Sequence, residues 1–147
     1  MAVGRNFHFG YNRESGITAL SDISPGIHLN VVDPVSYNGE IVSSTRIRTL
    51  IQQGMFSDVT VMLGSMYQLD LREKGGISIQ GRKGEVDLNT SGQVIPGDGD
   101  YAAFLVTEQG DIPCDLAIRN GKACWNILEK TKAAYTKIKY ITFIKRS

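Results

Sequence analysis

The chain has 147 residues, of which 41% are hydrophobic, enough for one medium domain or two small domains with a packed core. Sixteen basic and fifteen acidic residues give a net charge of +1, which excludes the broad positive surface of a nucleic-acid-binding protein, so any anion site must be local. The sequence has no apolar run of about 18 residues and no signal-like segment after Met1, so we expect a cytoplasmic protein without a membrane partner.

Residues 1–65 alternate between strand-like and helix-like segments. Residues 3–10 predict a short strand that ends in a glycine loop, and residues 17–23 predict a short helix. Residues 27–32 alternate with period two, which is typical of a strand, and Asn38-Gly39 predicts a turn. The N-terminal part of the chain is therefore expected to mix strands and helices.

Two amphipathic helices are predicted next. The first ends at Gly54, and the second, for which Ser57 is the expected cap, ends at Gly64. Their apolar stripes are Ile47, Leu50 and Ile51 in the first helix and Val59, Met62 and Leu63 in the second. A strand, helix, strand, helix, helix order is typical of half of an α/β nucleotide-binding sheet.

The residues that open the first of these helices are the candidate binding element. Ser43, Ser44 and Thr45 stand at its N-terminus, where hydroxyl groups cap free amides and the helix dipole favours an anion such as phosphate. Arg46 and Arg48 add positive charge and bidentate donors. Because these arginines are about 200° apart around the helix, we expect one to bind phosphate and the other to pair elsewhere. A purely structural cap is the alternative, since such caps are common in helices that bind nothing.

From about residue 66 the pattern changes to short strands separated by turns. Seven β-like runs within about eighty residues predict a small antiparallel barrel or sandwich. Asn120-Gly121 is a strong hairpin signal, Trp125 is expected to pack inside the barrel, and residues 130–134 predict a short helix. The seven runs are residues 67–71, 76–80, 85–89, 101–107, 112–118, 122–127 and 138–144.

The two cysteines and two histidines predict no metal site. Cys114 and Cys124 have neither the paired spacing of a zinc site nor the density of a disulfide framework, so both are expected to be reduced core thiols. His8 and His28 lie in separate segments, and a single histidine on a strand is more often structural or solvated than a metal ligand.

Three segments together resemble a known family. Residues 3–10, 39–48 and 63–67 come in the order, and at about the spacing, of the second half of the FMN adenylyltransferase domain in bacterial bifunctional riboflavin kinase/FAD synthetases. In that family an I-S-S-T-x-x-R element grips the ATP phosphates, and an F-x-F-G segment lies beside the nucleotide and flavin site. The resemblance implies a partial Rossmann-like nucleotidyltransferase α/β segment in residues 1–65, followed by a riboflavin-kinase-like antiparallel β-barrel in residues 66–147.

The resemblance also implies a reaction and the residues that perform it. ATP with Mg²⁺ and FMN would be the substrates, and FAD and pyrophosphate the products. Arg48 would be the catalytic residue that stabilises charge on the leaving pyrophosphate. The other matching residues are Ser43, Ser44, Thr45 and Arg46 for the nucleotide phosphates, and Phe7, Phe9 and Gly10 beside the flavin and nucleotide.

The second half resembles riboflavin kinase more weakly. Residues 94–102 are similar to the kinase segment of the form P-x-D-G-x-Y-A. The G-x-P-T-A-N element, which holds magnesium and ATP in the kinase, has no counterpart, although Asn89 and Thr90 lie near its expected place. We therefore predict a degenerate kinase site without kinase activity.

The H-x-G-H or T-x-G-H element of the nucleotidyltransferase superfamily is also missing. The chain is therefore expected to be a fragment or a shortened protein, and a half-sheet with uncovered apolar edges predicts self-association. Three functions stay open: FMN adenylyl transfer, a non-catalytic barrel that binds flavin, nucleotide or another protein, and a riboflavin kinase with an aberrant ATP motif. We expect small-molecule rather than nucleic-acid partners.

Overall fold

The computed structural model describes two compact units, Met1–Ser43 and Ser44–Ser147. The predicted helix at residues 130–134 lies outside the described residues, as does Thr90. Within the described part of the chain, no helix is long and apolar enough to cross a membrane. The described residues are 2–5, 7–23, 26, 28–75, 77–89, 91–128 and 136–147.

The N-terminal unit is built from short elements. Its first two strands pair in parallel, with Val3 opposite Val31, and helix α1 lies between them in the sequence at the predicted bounds. The next two strands form a hairpin at the predicted turn, in which Asn38 and Gly39 have φ values of 52° and 78°, the left-handed backbone that a two-residue turn requires. The elements are β1 (Ala2–Gly4), a 3-10 turn (Tyr11–Arg13), α1 (Ile17–Ile23), β2 (Asn30–Val32), β3 (Ser36–Tyr37) and β4 (Glu40–Ile41).

Two strands of this unit are shorter than the sequence predicts. The chain turns after β1, where the Phe7 amide donates to the Gly4 carbonyl at 2.9 Å, and Phe9 pairs with Ser15 in an isolated bridge. Strand β2 begins only at Asn30, and all three of its residues are exposed. Period-two alternation therefore predicted the strand correctly, but neither face of the strand is buried.

The second unit begins with helices α2 (Ser44–Gln53) and α3 (Phe56–Leu63), which share a core with the antiparallel sheet of this unit. Ile51 is buried in α2, and Phe56 and Val59 are buried in α3. The expected cap, Ser57, lies inside α3 and was wrongly placed, because the helix already starts at Phe56, whose ring belongs to the core.

The sheet has six antiparallel strands and curls into a half-barrel. Its strand order is β5-β10-β7-β8-β9-β6, so the last strand in the sequence lies between the first and third strands of the sheet. Six of the seven predicted runs are strands, whereas the run at residues 76–80 contributes only a bridge between Ser78 and Lys137. The strands are β5 (Gln68–Asp70), β6 (Lys83–Asp87), β7 (Gly99–Thr107), β8 (Gly110–Arg119), β9 (Lys122–Ile127) and β10 (Ile138–Arg146).

The inner face of the sheet and the two helices share one core. Phe143 stacks on Phe56 with ring centroids 4.9 Å apart, and Tyr101 meets Phe143 edge to face at 5.6 Å. Trp125 is 4% exposed, which confirms that it packs inside the sheet. Its ring covers Gly84 on the neighbouring strand, where a Cβ atom would lie 2.4 Å from the Trp125 ring. Aromatic rings from the sheet and from α3 therefore meet within this core.

Candidate functional site

The start of α2 is exposed. Ser44 is its first residue, and the side chains of Ser43, Ser44 and Thr45 are all accessible to solvent. The first turn carries no acidic residue, so no carboxylate of the helix competes for the backbone amides that lack an intrahelical partner there. The Thr49 hydroxyl donates to the Thr45 carbonyl at 3.1 Å, so this hydrogen bond does not involve the amides. The start of α2 is therefore within reach of an anion from solvent.

The two arginines of α2 have different surroundings. Arg46 is half-buried and makes a contact of its own, whereas Arg48 is exposed. Within the described residues, Arg48 has neither a hydrogen-bond nor an ion-pair partner. This difference follows from their opposite directions around the helix axis. It leaves the Arg48 guanidinium available for a phosphate oxygen.

The aromatic residues expected beside the flavin belong to the N-terminal unit. Phe7 and Phe9 stack on one another with centroids 5.9 Å apart and planes inclined by 25°. Gly10 follows with φ of 85°, a backbone conformation that favours glycine. The structure thus brings Phe7, Phe9 and Gly10 together in one loop, while Ser44, Thr45, Arg46 and Arg48 belong to the second unit.

Asn89, the candidate for a degenerate kinase site, makes structural contacts in the barrel. Its backbone amide donates to the Asp87 carboxylate at 2.8 Å, and its side-chain amide donates to the Asn120 carbonyl at 3.4 Å. Its side chain also lies so close to Gly121 that a Cβ there would be 2.0 Å from the Asn89 Oδ1. Asn89 therefore braces the β8–β9 hairpin.

A shallow groove of about 400 Å³ lies on the outer face of strands β7 to β9. Asp100 and Asp115 line it, together with Cys124 and Asn126. Asp100 is paired with Arg119 at 2.7 Å, and the residues that line the groove include no cation, so Asp115 would repel phosphate. Of the groove and the start of α2, only the start of α2 suits an anionic ligand.

The two cysteines differ in burial, since Cys114 is a buried core residue and Cys124, which was also expected in the core, is only half-buried. Both thiols are free, as the sequence predicts. Burial raises the pKa of Cys114 to about 12, so this thiol stays protonated and is a poor nucleophile. The Cys124 sulfur lies 4.0 Å from a Glu85 carboxylate oxygen. Among the described residues, no group of three or more histidine, cysteine, aspartate or glutamate side chains is placed to hold a metal ion.

Sequence reasoning missed a set of residues at the other end of α2. The Gly97 amide donates to the Gln52 carbonyl at 2.9 Å, and the Arg146 guanidinium donates to the Gln53 carbonyl at 3.1 Å. In the sequence, the glycines flanking Asp98 are visible only as a turn within residues 94–102, the segment that resembles riboflavin kinase. Nothing in the sequence connects that turn to a helix more than forty residues earlier.

Comparison with known proteins gives a sequence relative and similar solved structures. A stretch of 63 residues is 41% identical to a protein of Geobacillus thermodenitrificans (strain NG80-2) that is provisionally named bifunctional riboflavin kinase/FMN adenylyltransferase, and it covers 42% of this chain. The crystal structure of the macrolide-efflux protein from Streptococcus pneumoniae matches 98% of the chain with a TM-score of 0.78 and 20% identity, which establishes a shared fold. The chain spans 34% of the first protein and 52% of the second. No family model matches it.

Proposed function

We propose that this chain is the nucleotide-binding and flavin-binding part of an FAD-forming enzyme, in which the start of α2 holds the ATP phosphates. The observation that carries the proposal is the exposed N-terminus of α2, where Ser44, Thr45 and Arg48 all reach solvent. The name of the 41% identical relative supports the choice of flavin and ATP as substrates, because that name describes a flavin enzyme.

The proposed reaction is transfer of AMP from ATP to FMN. A phosphate oxygen of FMN attacks the α-phosphorus of ATP, the bond between the α- and β-phosphates breaks, and pyrophosphate leaves. Such a transfer depends mainly on positioning and on neutralising phosphate charge. The first-turn amides and the hydroxyls of Ser43, Ser44 and Thr45 would donate to phosphate oxygens. The Arg48 guanidinium would stabilise the charge that develops on pyrophosphate, and Mg²⁺ would enter as part of the ATP complex.

In this proposal, residues 1–65 belong to a Rossmann-like nucleotidyltransferase domain. The parallel pairing of β1 with β2 across the intervening α1 supports this assignment, because a parallel pair joined through a helix is the repeating unit of α/β sheets. The stacked pair Phe7 and Phe9, followed by Gly10, would lie beside the flavin. Aromatic faces of this kind suit a flat heteroaromatic ring.

Replacing Arg48 with alanine tests the phosphate-binding role. We expect Arg48→Ala to bind Mg-ATP about 10- to 100-fold more weakly, because a charge-assisted hydrogen bond contributes about 1.5–3 kcal/mol. Isothermal titration of the purified chain with Mg-ATP measures the change. Arg46→Ala should have a smaller effect, since that side chain is half-buried and already in contact.

Lys122→Ala is the matched control for loss of one surface charge, because Lys122 is an exposed cation on β9, outside α2. Equal affinity for Mg-ATP in the Arg48→Ala variant and the wild type would overturn the assignment.

The second candidate is a barrel that binds flavin or nucleotide without catalysis. The contacts of Asn89 favour it over a kinase, because the amide that would serve ATP is held against the β8–β9 hairpin. Incubating the chain with FMN, ATP and Mg²⁺, followed by chromatography, separates the cases. Appearance of FAD supports the transferase, and binding without turnover supports the second candidate. Conversion of riboflavin to FMN in a parallel reaction would point to a kinase instead.

A further inference from the structure

The C-terminal end of α2 is held in what we call the helix socket, formed by Gly97, Asp98, Tyr101 and Arg146. The Gly97 amide donates to the Gln52 carbonyl at 2.9 Å, and Nη1 of Arg146 donates to the Gln53 carbonyl at 3.1 Å. Both acceptors belong to the last turn, whose carbonyls lack intrahelical partners. The positive guanidinium also lies at the negative end of the helix dipole.

Arg146 joins this helix end to the barrel. Its Nη2 donates to the Asp98 carbonyl at 2.8 Å, and its guanidinium lies over the Tyr101 ring, 6.0 Å from the centroid. The Tyr101 hydroxyl in turn donates to the Gly97 carbonyl. Since Tyr101 is fully buried against Phe143, the socket is continuous with the aromatic core.

Neither Gly97, in the socket, nor Gly54, at the end of α2, has space for a larger side chain. A Cβ atom at Gly97 would lie 2.6 Å from the Gln52 carbonyl oxygen. Gly54, which ends α2 with φ of 77°, would place a Cβ 3.0 Å from Cδ of Arg146 and 3.1 Å from the Tyr101 ring. The helix end and the barrel therefore meet at backbone contact distance, which restricts the direction in which α2 can leave the barrel.

We propose that Arg146 is a positioning residue that sets the direction of α2 and thereby places its anion-binding start; the second half of this statement rests on the proposed function. A ten-residue helix is about 15 Å long, so a tilt of roughly 10° at the socket moves its start by about 2.6 Å. That displacement exceeds the tolerance of a hydrogen bond to phosphate. Arg146 reaches the two carbonyls with two separate nitrogens, Nη1 and Nη2, whereas lysine has a single nitrogen, so lysine is an incomplete substitute.

The first measurement follows the helix itself. An acceptor dye on Ser44→Cys, in a Cys124→Ser background, reports its distance from Trp125, the single tryptophan, while the buried Cys114 stays unlabelled. We expect Arg146→Met to broaden the distribution of donor–acceptor distances. Lys145→Met is the matched control, because it removes the same charge from the neighbouring position of β10 and should leave the distribution narrow.

The second measurement follows the ligand in unlabelled protein. We expect Arg146→Met to weaken Mg-ATP binding about tenfold, Arg146→Lys to recover part of this loss, and Lys145→Met to bind like the wild type. If Arg146→Met does not fold, Arg146→Lys carries both measurements, since it keeps the charge and stem and loses only the fork.

The two measurements separate the possible failures. An unchanged distance distribution would overturn the positioning role whatever the affinity does. A broadened distribution with wild-type affinity would overturn the link to the anion site. If the wild type binds no Mg-ATP, the proposed function and that link both fail, and the distances alone then decide whether Arg146 directs the helix.

Discussion

The N-terminal unit and the barrel use similar residues with different results. In the N-terminal unit, Val31 and Val35 are 43% and 73% exposed, and the strands contain two or three residues each. In the barrel, strand β8 is ten residues long, and Ile118 and its inward neighbours are buried. Valine and isoleucine alternate with polar residues in both regions. Alternation is therefore accompanied by burial where the strands pack on the shared core of the second unit.

Pairing explains the contrast. Strand β2 pairs with β1 alone among the described strands, although parallel sheets are usually covered on both faces. Strand β7 pairs with both β10 and β8, and its side chains alternate regularly between buried and half-buried positions. Val3, which is 5% exposed, is the one buried hydrophobic residue among the described residues of the N-terminal unit. The barrel should therefore carry most of the measurable stability.

The largest expected effect breaks the barrel core. Phe143→Ala removes a fully buried ring that contacts Phe56 and Tyr101, and should lower the free energy of unfolding by about 3–5 kcal/mol. Val3→Ala should cost about 1 kcal/mol or less on the same transition, because Val3 lies outside the barrel core. Urea unfolding followed by Trp125 fluorescence measures both. Equal losses would mean that the two regions share one core after all.

Two glycine substitutions, one in the barrel and one in the N-terminal unit, test the comparison with a stability effect of intermediate size. Gly84→Ala places a methyl group 2.4 Å from the Trp125 ring, and such overpacking costs about 1–3 kcal/mol. Gly4→Ala in β1 meets no atom within 4 Å and should change stability by less than about 0.5 kcal/mol. Only the first should also shift the Trp125 emission spectrum. A destabilising Gly4→Ala would show that the surface around β1 is covered in solution.

The smallest expected effect concerns the exposed edge of the barrel. Hydrogen bonds from Arg72 hold the pKa of Asp70 below its ordinary value. Because the pKa of Asp70 is lower in the folded state, its interaction with Arg72 stabilises the protein when the pH is above the unfolded-state pKa of about 3.8. This stability is lost as the pH falls through the folded-state pKa. Asp70→Asn should therefore be slightly less stable than the wild type at pH 7 and equal to it near pH 2.

Asp111→Asn, an exposed aspartate on β8, controls for loss of one charge in these pH-dependent unfolding curves. If the difference between Asp70→Asn and the wild type persisted unchanged to pH 2, the ion pair with Arg72 would not be its cause.

Local signals in the sequence predict most of the second unit. Helix α2 and strand β9 appear at almost the expected bounds, because Ile47, Leu50 and Ile51 follow the helical period and Asn120-Gly121 determines the hairpin. The strand at β2 was predicted correctly but too long, and Ser57 was wrong as the cap of α3. Strand β2 has no covering layer of described residues, and Phe56 starts α3 earlier by joining the core.

The candidate site likewise contains residues that the sequence predicts and residues that it does not. Capping residues and arginines at the start of α2 are visible in the sequence, because they are neighbours along the chain. Arg146 and Gln53 are 93 positions apart, so no local pattern indicates that they meet. The exposure of Arg48 and the partial burial of Arg46 likewise depend on which face of α2 packs on the sheet.

The position of β10 has a consequence for biosynthesis. Leu69 pairs with Ile141, so strand β5 can pair only after β10 has been synthesised, more than seventy residues later. During translation, strands β7, β8 and β9 can form a meander as they leave the ribosome, while one edge of β7 stays open until β10 arrives. Such non-local pairing slows folding. Insertion of β10 is therefore the step at which a nascent chain is most exposed to aggregation and most dependent on chaperones.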